Sequence, residues 1–254
     1  MNVVKYSANG NDFVIFHTFI KKRRNELAKE ICDRQNGIGA DGLIVLVPNK
    51  SYDFEWEFYN SDGSDAKMCG NGSRACAHYA FFNNLAPQKM RFLTPAGIIS
   101  AFVEDNTVTS ELTPPIVLDK DIMHNGVSWW EIDTGVPHLV SFVKDINMFD
   151  LQEAKALRDK YNANVNIAYI DKSGLHVRTY ERGVEDETLA CGTGMAASFY
   201  RGYMQGLIQA DTNVFPASND KLKLSIKDNV IYFTGDVKRV FSADYNPASS
   251  TSFA

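Results

Sequence analysis

Cys69-Gly70-Asn71-Gly72-Ser73-Arg74-Ala75 and Cys191-Gly192-Thr193-Gly194-Met195-Ala196-Ala197 are two versions of one segment, 122 residues apart in a chain of 254. Each puts a cysteine at a turn after a strand, and its glycines let the backbone approach closely where a helix begins. Asp65 and Glu187 each stand four residues ahead of their cysteine. A second pair repeats in step: Gly10-Asn11-Asp12-Phe13 opens 59 residues before Cys69, and Gly135-Val136-Pro137-His138 opens 56 residues before Cys191. Motifs that recur in one order at matched spacing mark an internal duplication. The expected fold is therefore α/β of the α+β type, with two pseudo-symmetric domains facing each other across a cleft.

The pattern around the motifs supports this. Phe54, Trp56 and Phe58 alternate with charged residues, the period of a half-buried strand, and Leu43–Val47 reads as a buried one. Strands are predicted near 2–6, 12–16, 43–47, 53–59, 89–94, 97–103 and 107–113, with helices near 25–34 and from Cys69 to about Asn83. Pro114-Pro115 interrupts the pattern and places the domain boundary, giving halves 1–114 and 115–254. Beyond it the order returns: strands near 127–133 and 138–143, a helix near 151–161, strands near 164–171 and 174–181, and a helix from Cys191. Strands near 221–226, 229–234 and 237–242 close the chain, the last free to return toward the N-terminal half. The small polar tail, 246–254, is expected to be disordered.

Composition excludes more than it selects. No apolar run approaches the ~20 residues that span a bilayer, and the N-terminus enters a strand directly, without the sections of a signal peptide. A cytoplasmic location and four reduced thiols follow. With a net charge of −5, the lone basic run Lys21-Lys22-Arg23-Arg24 reads as a solvated loop rather than a nucleic-acid patch. No Cys-x-x-Cys or paired-His spacing offers a metal site, and Cys32 and Cys76 read as core.

The paired cysteines carry the chemistry. A helix N-terminus has unpaired N–H groups and a partial positive charge, which favour a thiolate. They also place the N–H groups of Gly70, Asn71, Gly192 and Thr193 to cradle a carboxylate. Inverting an α-carbon requires a proton to leave one face and another to arrive on the other, and two opposed acid/base groups do this without turning the substrate. The carbanion-like intermediate is stabilised by converging helix N-termini. One sulfur must be thiolate while the other is thiol, so their titrations are coupled. A lone Cys-Gly-x-Gly turn is often only a tight helix start; two copies at matched positions weaken that reading.

With these motifs in hand, the chain resembles diaminopimelate epimerases over nearly its whole length. The matching segments include Gly37-Ile38-Gly39-Ala40-Asp41-Gly42, Asn60-Ser61-Asp62-Gly63-Ser64, Met68-Cys69-Gly70-Asn71-Gly72, Thr94-Pro95-Ala96-Gly97, Asn164-Val165-Asn166, Tyr180-Glu181-Arg182-Gly183 and Ala190-Cys191-Gly192-Thr193-Gly194. The resemblance implies that each domain is a mixed or antiparallel sheet curled around a central helix. It also implies epimerisation of LL- to meso-diaminopimelate, for lysine and peptidoglycan precursors, without pyridoxal phosphate or metal. Cys69 and Cys191 would be the proton-transfer groups, and Asn11, Asn60, Asn164, Glu181 and Arg182 would bind substrate. Arg182 suits the distal carboxylate of a diacid. His138 would lie beside a catalytic cysteine and tune it. The partner would be a small molecule, with neither nucleic acid nor membrane, and the chain could form a homodimer. Two departures stand out: Val136 replaces the family's usual asparagine, and Gly42 stands where some members carry glutamine. Both bear on recognition of the substrate. Proline and hydroxyproline racemases share the two-cysteine plan, but resemble Cys-Gly-His-Gly where this chain has Asn71.

Overall fold

The structure is a computed structural model, described for residues 1–247. The chain divides into two compact units, Met1–Ser110 together with the segment from Asp236, and Glu111–Gly235.

The first unit opens with β1 (Asn2–Ala8) and β2 (Asn11–His17), then α1 (Asn25–Cys32), β3 (Gly42–Val47) and β4 (Phe54–Asn60). After α2 (Gly70–Phe82) come β5 (Lys89–Thr94), β6 (Gly97–Glu104) and β7 (Thr107–Glu111). β2 runs parallel to β3 and antiparallel to β1, β4 runs antiparallel to β3 and parallel to β5, and β5, β6 and β7 follow as an antiparallel meander. β3 is buried along its entire length because helices cover both faces. On one face lies α2, buried from Gly70 to Ala80. Its run of Gly, Ser and Ala lets strands pack close around it. On the other face lies α1, held by Ala28, Ile31 and Cys32.

The second unit contains β8 (Ile116–His124), β9 (Val127–Asp133), β10 (Pro137–Phe142), a 3₁₀ turn (Ile146–Met148) and α3 (Leu151–Tyr161). It continues with β11 (Asn164–Ile170), β12 (Leu175–Glu181), β13 (Asp186–Thr188), α4 (Gly192–Met204), β14 (Asp211–Phe215), β15 (Leu222–Lys227) and β16 (Val230–Asp236). The Asp150 carboxylate caps α3 by accepting from Gln152 and Glu153 N–H, and Asn162 ends it in the left-handed region. α4 is the central helix, packed on β9, β10, β11 and β12. The last strand, β17 (Lys238–Asp244), pairs antiparallel with β1 in the first unit.

Strand registers align the two halves residue by residue. Phe13 pairs with Gly42, and His138 with Asn164. Ile44 pairs with Phe58, and Asn166 with Thr179. Tyr59 bridges Asp65, and Tyr180 pairs with Glu187. β17 on β1 has its counterpart in β8 on β9, both antiparallel.

Two expectations change. β8, β13 and β14 are strands that periodicity missed. β8 carries register irregularities at Val117/Asp119 and Asp119/Ile122, so it has no clean alternation to read. The basic run is not wholly solvated: Arg24 is buried and ion-paired with Glu57, and Lys21 reaches Glu55 at 2.5 Å. Glu55 and Glu57 alternate with Phe54, Trp56 and Phe58 along β4, which presents carboxylates to the loop. The expectation of a disordered tail falls outside the described residues beyond Pro247.

Candidate active site

Both cysteines are N-caps. Cys69 and Cys191 have extended backbones at the starts of α2 and α4, and each carbonyl accepts the first helical bond, from Ser73 N–H (2.8 Å) and Met195 N–H (2.9 Å). The N–H groups of Gly70, Asn71 and Gly72, and of Gly192, Thr193 and Gly194, therefore lie in first turns without intrahelical acceptors. The caps differ in detail. Gly72 N–H donates to Cys69 Sγ at 3.4 Å, a contact that stabilises sulfur as an acceptor, whereas Cys191 Sγ lies 3.5 Å from the Thr193 hydroxyl. Cys32 and Cys76 are core residues, and burial pushes both thiols up, Cys32 to about 12.

In the first unit a directional chain of amides leads to the helix start. Arg74 donates to Asn71 Oδ1 (2.6 Å), Asn71 Nδ2 to Asn11 Oδ1 (2.6 Å), and Asn11 Nδ2 to Asp41 Oδ2 (3.1 Å). Asp41 and Asp12 are held by Arg34, which forks onto both Asp12 oxygens at 3.0 Å and reaches Asp41 at 2.9 Å. Lys5 adds a 2.8 Å bridge to Asp12. Burial alone would raise the Asp12 carboxyl, but Arg34 and Lys5 outweigh it and hold the group down to about 2. Asn60 sits apart from this chain at the end of β4, its amide on the Ser64 hydroxyl at 2.9 Å.

In the second unit the corresponding cell is polar and buried. His138 is fully buried, and Asn166 Nδ2 donates both to its Nδ1 (3.0 Å) and to Leu139 O (2.9 Å). Thr179 donates to Asn166 Oδ1 at 2.8 Å. Accepting at Nδ1 places the proton of a neutral imidazole on Nε2, which has no hydrogen-bond partner among the described residues. Burial pushes His138 down to about 3, aided by the Arg182 charge, and the N–H that Asn166 donates to Nδ1 favours the same neutral ring. Glu181 accepts from Thr188 (2.8 Å) and from the Cys191 side chain, while burial holds its carboxyl above the ordinary value. Asn164 bridges Pro137 O (3.2 Å) and Arg182 N–H (2.8 Å). The Arg182 guanidinium reaches Asn162 O at 2.8 Å, not the neighbouring Glu181.

Thus Cys69, Gly70, Asn71 and Asn11 cluster in one unit, and Cys191, Thr193 and Glu181 in the other, with Asn164 joined to Arg182 beside them. Arg74, Asn166 and Thr179 support these clusters, yet motif reading passed over them. Asn166 was legible in part, since Asn164 and Asn166 share a strand face by the period of two. Gly42 has a local reason: a Cβ there would stand 2.6 Å from the Phe58 ring and 2.8 Å from Tyr59 O. Among the described residues no helix is long and apolar enough to cross a membrane, and no group of three His, Cys, Asp or Glu could hold a metal ion.

Comparison with known proteins agrees with the duplicated fold and the motifs. A family model described as diaminopimelate epimerase matches residues 3–118 and 131–240. Over 242 residues the chain is 61% identical to the diaminopimelate epimerase of a Nitratiruptor species, covering 95% of this chain and 97% of that one. Identity to the diaminopimelate epimerase of Campylobacter lari is 52% over 247 residues, covering 97% and 99%. Among solved structures, a probable proline racemase from Agrobacterium radiobacter has a TM-score of 0.77 at 12% identity, covering 96% of this chain and 92% of that one. A phenazine biosynthesis protein of the PhzF family from Enterococcus faecalis has a TM-score of 0.75 at 15% identity, covering 97% and 99%. These structures share the fold; the family follows from the sequence matches. The chain belongs to the diaminopimelate epimerase family.

Proposed function

We propose that this chain interconverts LL- and meso-diaminopimelate by two-base proton transfer between Cys69 and Cys191. The observation that carries the reading is that both cysteines N-cap central helices at matching positions of a duplicated fold. One sulfur, as thiolate, takes the α-proton; the other, as thiol, delivers a proton to the opposite face of the carbon, and the roles exchange in reverse. First-turn N–H groups of Gly70, Asn71, Gly192 and Thr193 receive the α-carboxylate and stabilise the charge that develops as the proton leaves. Asn11 and Asn71 hold the reacting amino acid. Asn60, Asn164, Glu181 and Arg182 serve the substrate's polar ends, with Arg182 on the distal carboxylate. Buried and neutral, His138 shapes the proton affinity beside its cysteine. The substrate is a small molecule, no added cofactor enters the reaction, and the enzyme works in the cytoplasm.

Incubation with LL-diaminopimelate in D₂O tests this, read by mass spectrometry for α-deuterium and by chiral chromatography for the meso product. Exchange without added cofactor is expected. Cys69→Ala and Cys191→Ala should each lower the rate by at least about 10²-fold, the lower end of what a positioned acid or base contributes. Exchange on proline with none on diaminopimelate overturns the substrate, and full activity in either alanine variant overturns the two-base step.

A further inference from the structure

We propose that Arg74 is a positioning residue for Cys69: its buried guanidinium keeps Cys69 as the thiolate of the resting pair and locks the amide chain that carries Asn71 and Asn11. The inference rests on Cys69 and Cys191 being the proton carriers.

Arg74 is fully buried, and its side chain runs back toward the start of α2, where Nη1 meets Gly70 O at 3.2 Å. Further hydrogen bonds go to Asn9 Oδ1 (2.7 Å) and Asn71 Oδ1 (2.6 Å). These three acceptors are neutral oxygens. A cation in this place is costly twice over. It is removed from water, and it stands at the positive end of a helix, where cations are disfavoured. Local rules are broken in this way mostly where function needs it.

The charge has a specific beneficiary. Burial moves Arg74 down to about 10, still a cation at neutral pH, and the two charges that favour its ionised form are Cys69 and Asp236. Coupling between two ionisations is reciprocal, so the guanidinium favours the Cys69 thiolate as much as the thiolate favours the guanidinium. α2 packs on β1, β2, β3 and β6. β1 brings Tyr6, whose phenol burial pushes up and which bonds His78, and Lys5, bridged to Asp12 of β2. β3 has no ionisable side chain, and Glu104 of β6 is exposed. On α2 itself, burial pushes Cys76 and Tyr79 up and His78 down, so all three are neutral near pH 7.

The hydrogen bonds give the same residue a second task. Because Asn71 Oδ1 is taken by Arg74, Asn71 must turn its NH₂ to Asn11, and Asn11 must turn its NH₂ to Asp41. The position equivalent to Arg74 in α4 is the buried Ala196, and there the Cys191 side chain donates instead to Glu181. One cysteine is thus set beside a cation and the other beside a carboxyl, which makes them unequal before substrate arrives.

Iodoacetamide alkylation across pH, followed cysteine by cysteine by peptide mass spectrometry, tests this on the whole protein without substrate. In the wild type the Cys69 midpoint should lie at least about one pH unit below that of Cys191. In Arg74→Met the Cys69 midpoint should rise by about one unit, equal to about ten-fold slower labelling at low pH, with Cys191 unmoved. Arg74→Lys should restore most of the shift. Equal midpoints in the wild type overturn the proposal, and this comparison stands even if Arg74→Met fails to fold. An unchanged Cys69 midpoint in folded Arg74→Met, or both cysteines moving together, also overturns it. Since labelling needs no substrate, an enzyme inert on diaminopimelate but unequal in its two midpoints would fail the functional reading and not this one.

Discussion

Beneath the first turn of α2 lie Phe13, Ile44 and Phe58; at the equivalent places beneath α4 lie His138, Asn166 and Thr179. The backbone pairing is the same, and each helix begins at a cysteine. Yet one cell is filled by apolar side chains and the other by a hydrogen-bonded set. The third residue of each helix shows how tightly each is built. A Cβ on Gly72 would meet the end of the Ile44 side chain at 3.3 Å, whereas one on Gly194 would run into Asn166 Oδ1 and stand 3.0 Å from Thr179 Oγ1. Duplication has preserved the frame, and what surrounds each cysteine has diverged: Arg74 is buried in the first helix where Ala196 stands in the second, and the Cys191 side chain meets Glu181.

The largest test of that contrast is Gly194→Ala against Gly72→Ala. Alanine at 194 must displace Asn166 and open the His138 network, so it should cost about 3 kcal/mol. At 72 a flexible methyl gives way and helix propensity improves, so the change should stay within about 1 kcal/mol of neutral. Urea unfolding midpoints decide this, and equal losses would show that the cells are built alike.

Next comes acid stability. His138 is held at about 3 in the fold and returns to about 6.5 when unfolded. Its folded value is depressed, so its contribution is complete above about pH 6.5 and is lost as pH falls toward 3, where the unfolded chain alone takes the proton. Between pH 7 and 4.5 the wild type should lose about 2 kcal/mol more than His138→Gln. Identical pH slopes in urea would mean that the imidazole is not held neutral.

The smallest effects separate the two kinds of packing. Ile44→Val should cost about 1 kcal/mol at every pH, as a lost methylene does. Thr179→Val keeps the shape but leaves Asn166 Oδ1 without its donor, for about 1–2 kcal/mol. That loss should change with pH, since it loosens the bond that fixes His138. Parallel pH profiles for the two variants would erase the distinction.

Much of this molecule is written locally. Both Cys-Gly-x-Gly segments open a helix, and alternation along Phe54–Phe58 specifies a strand with one buried face. Both are short-range properties, and their repetition exposed the duplication. What failed to show was whatever depends on a neighbour across the fold. β8 was hidden by its register irregularities, Arg24 by Glu57 on a strand thirty-odd residues on, and Gly42 by the Phe58 ring beside it.

Two helix starts, two cysteines and most of the strands around them follow from the residues alone, because backbone preference and hydrophobic period act over a few residues. What each cysteine has for company is settled by the folded chain. Arg74, Asn166 and Thr179 are ordinary residues in the chain, and they matter because burial strips their charges and amides of water and leaves them one set of partners.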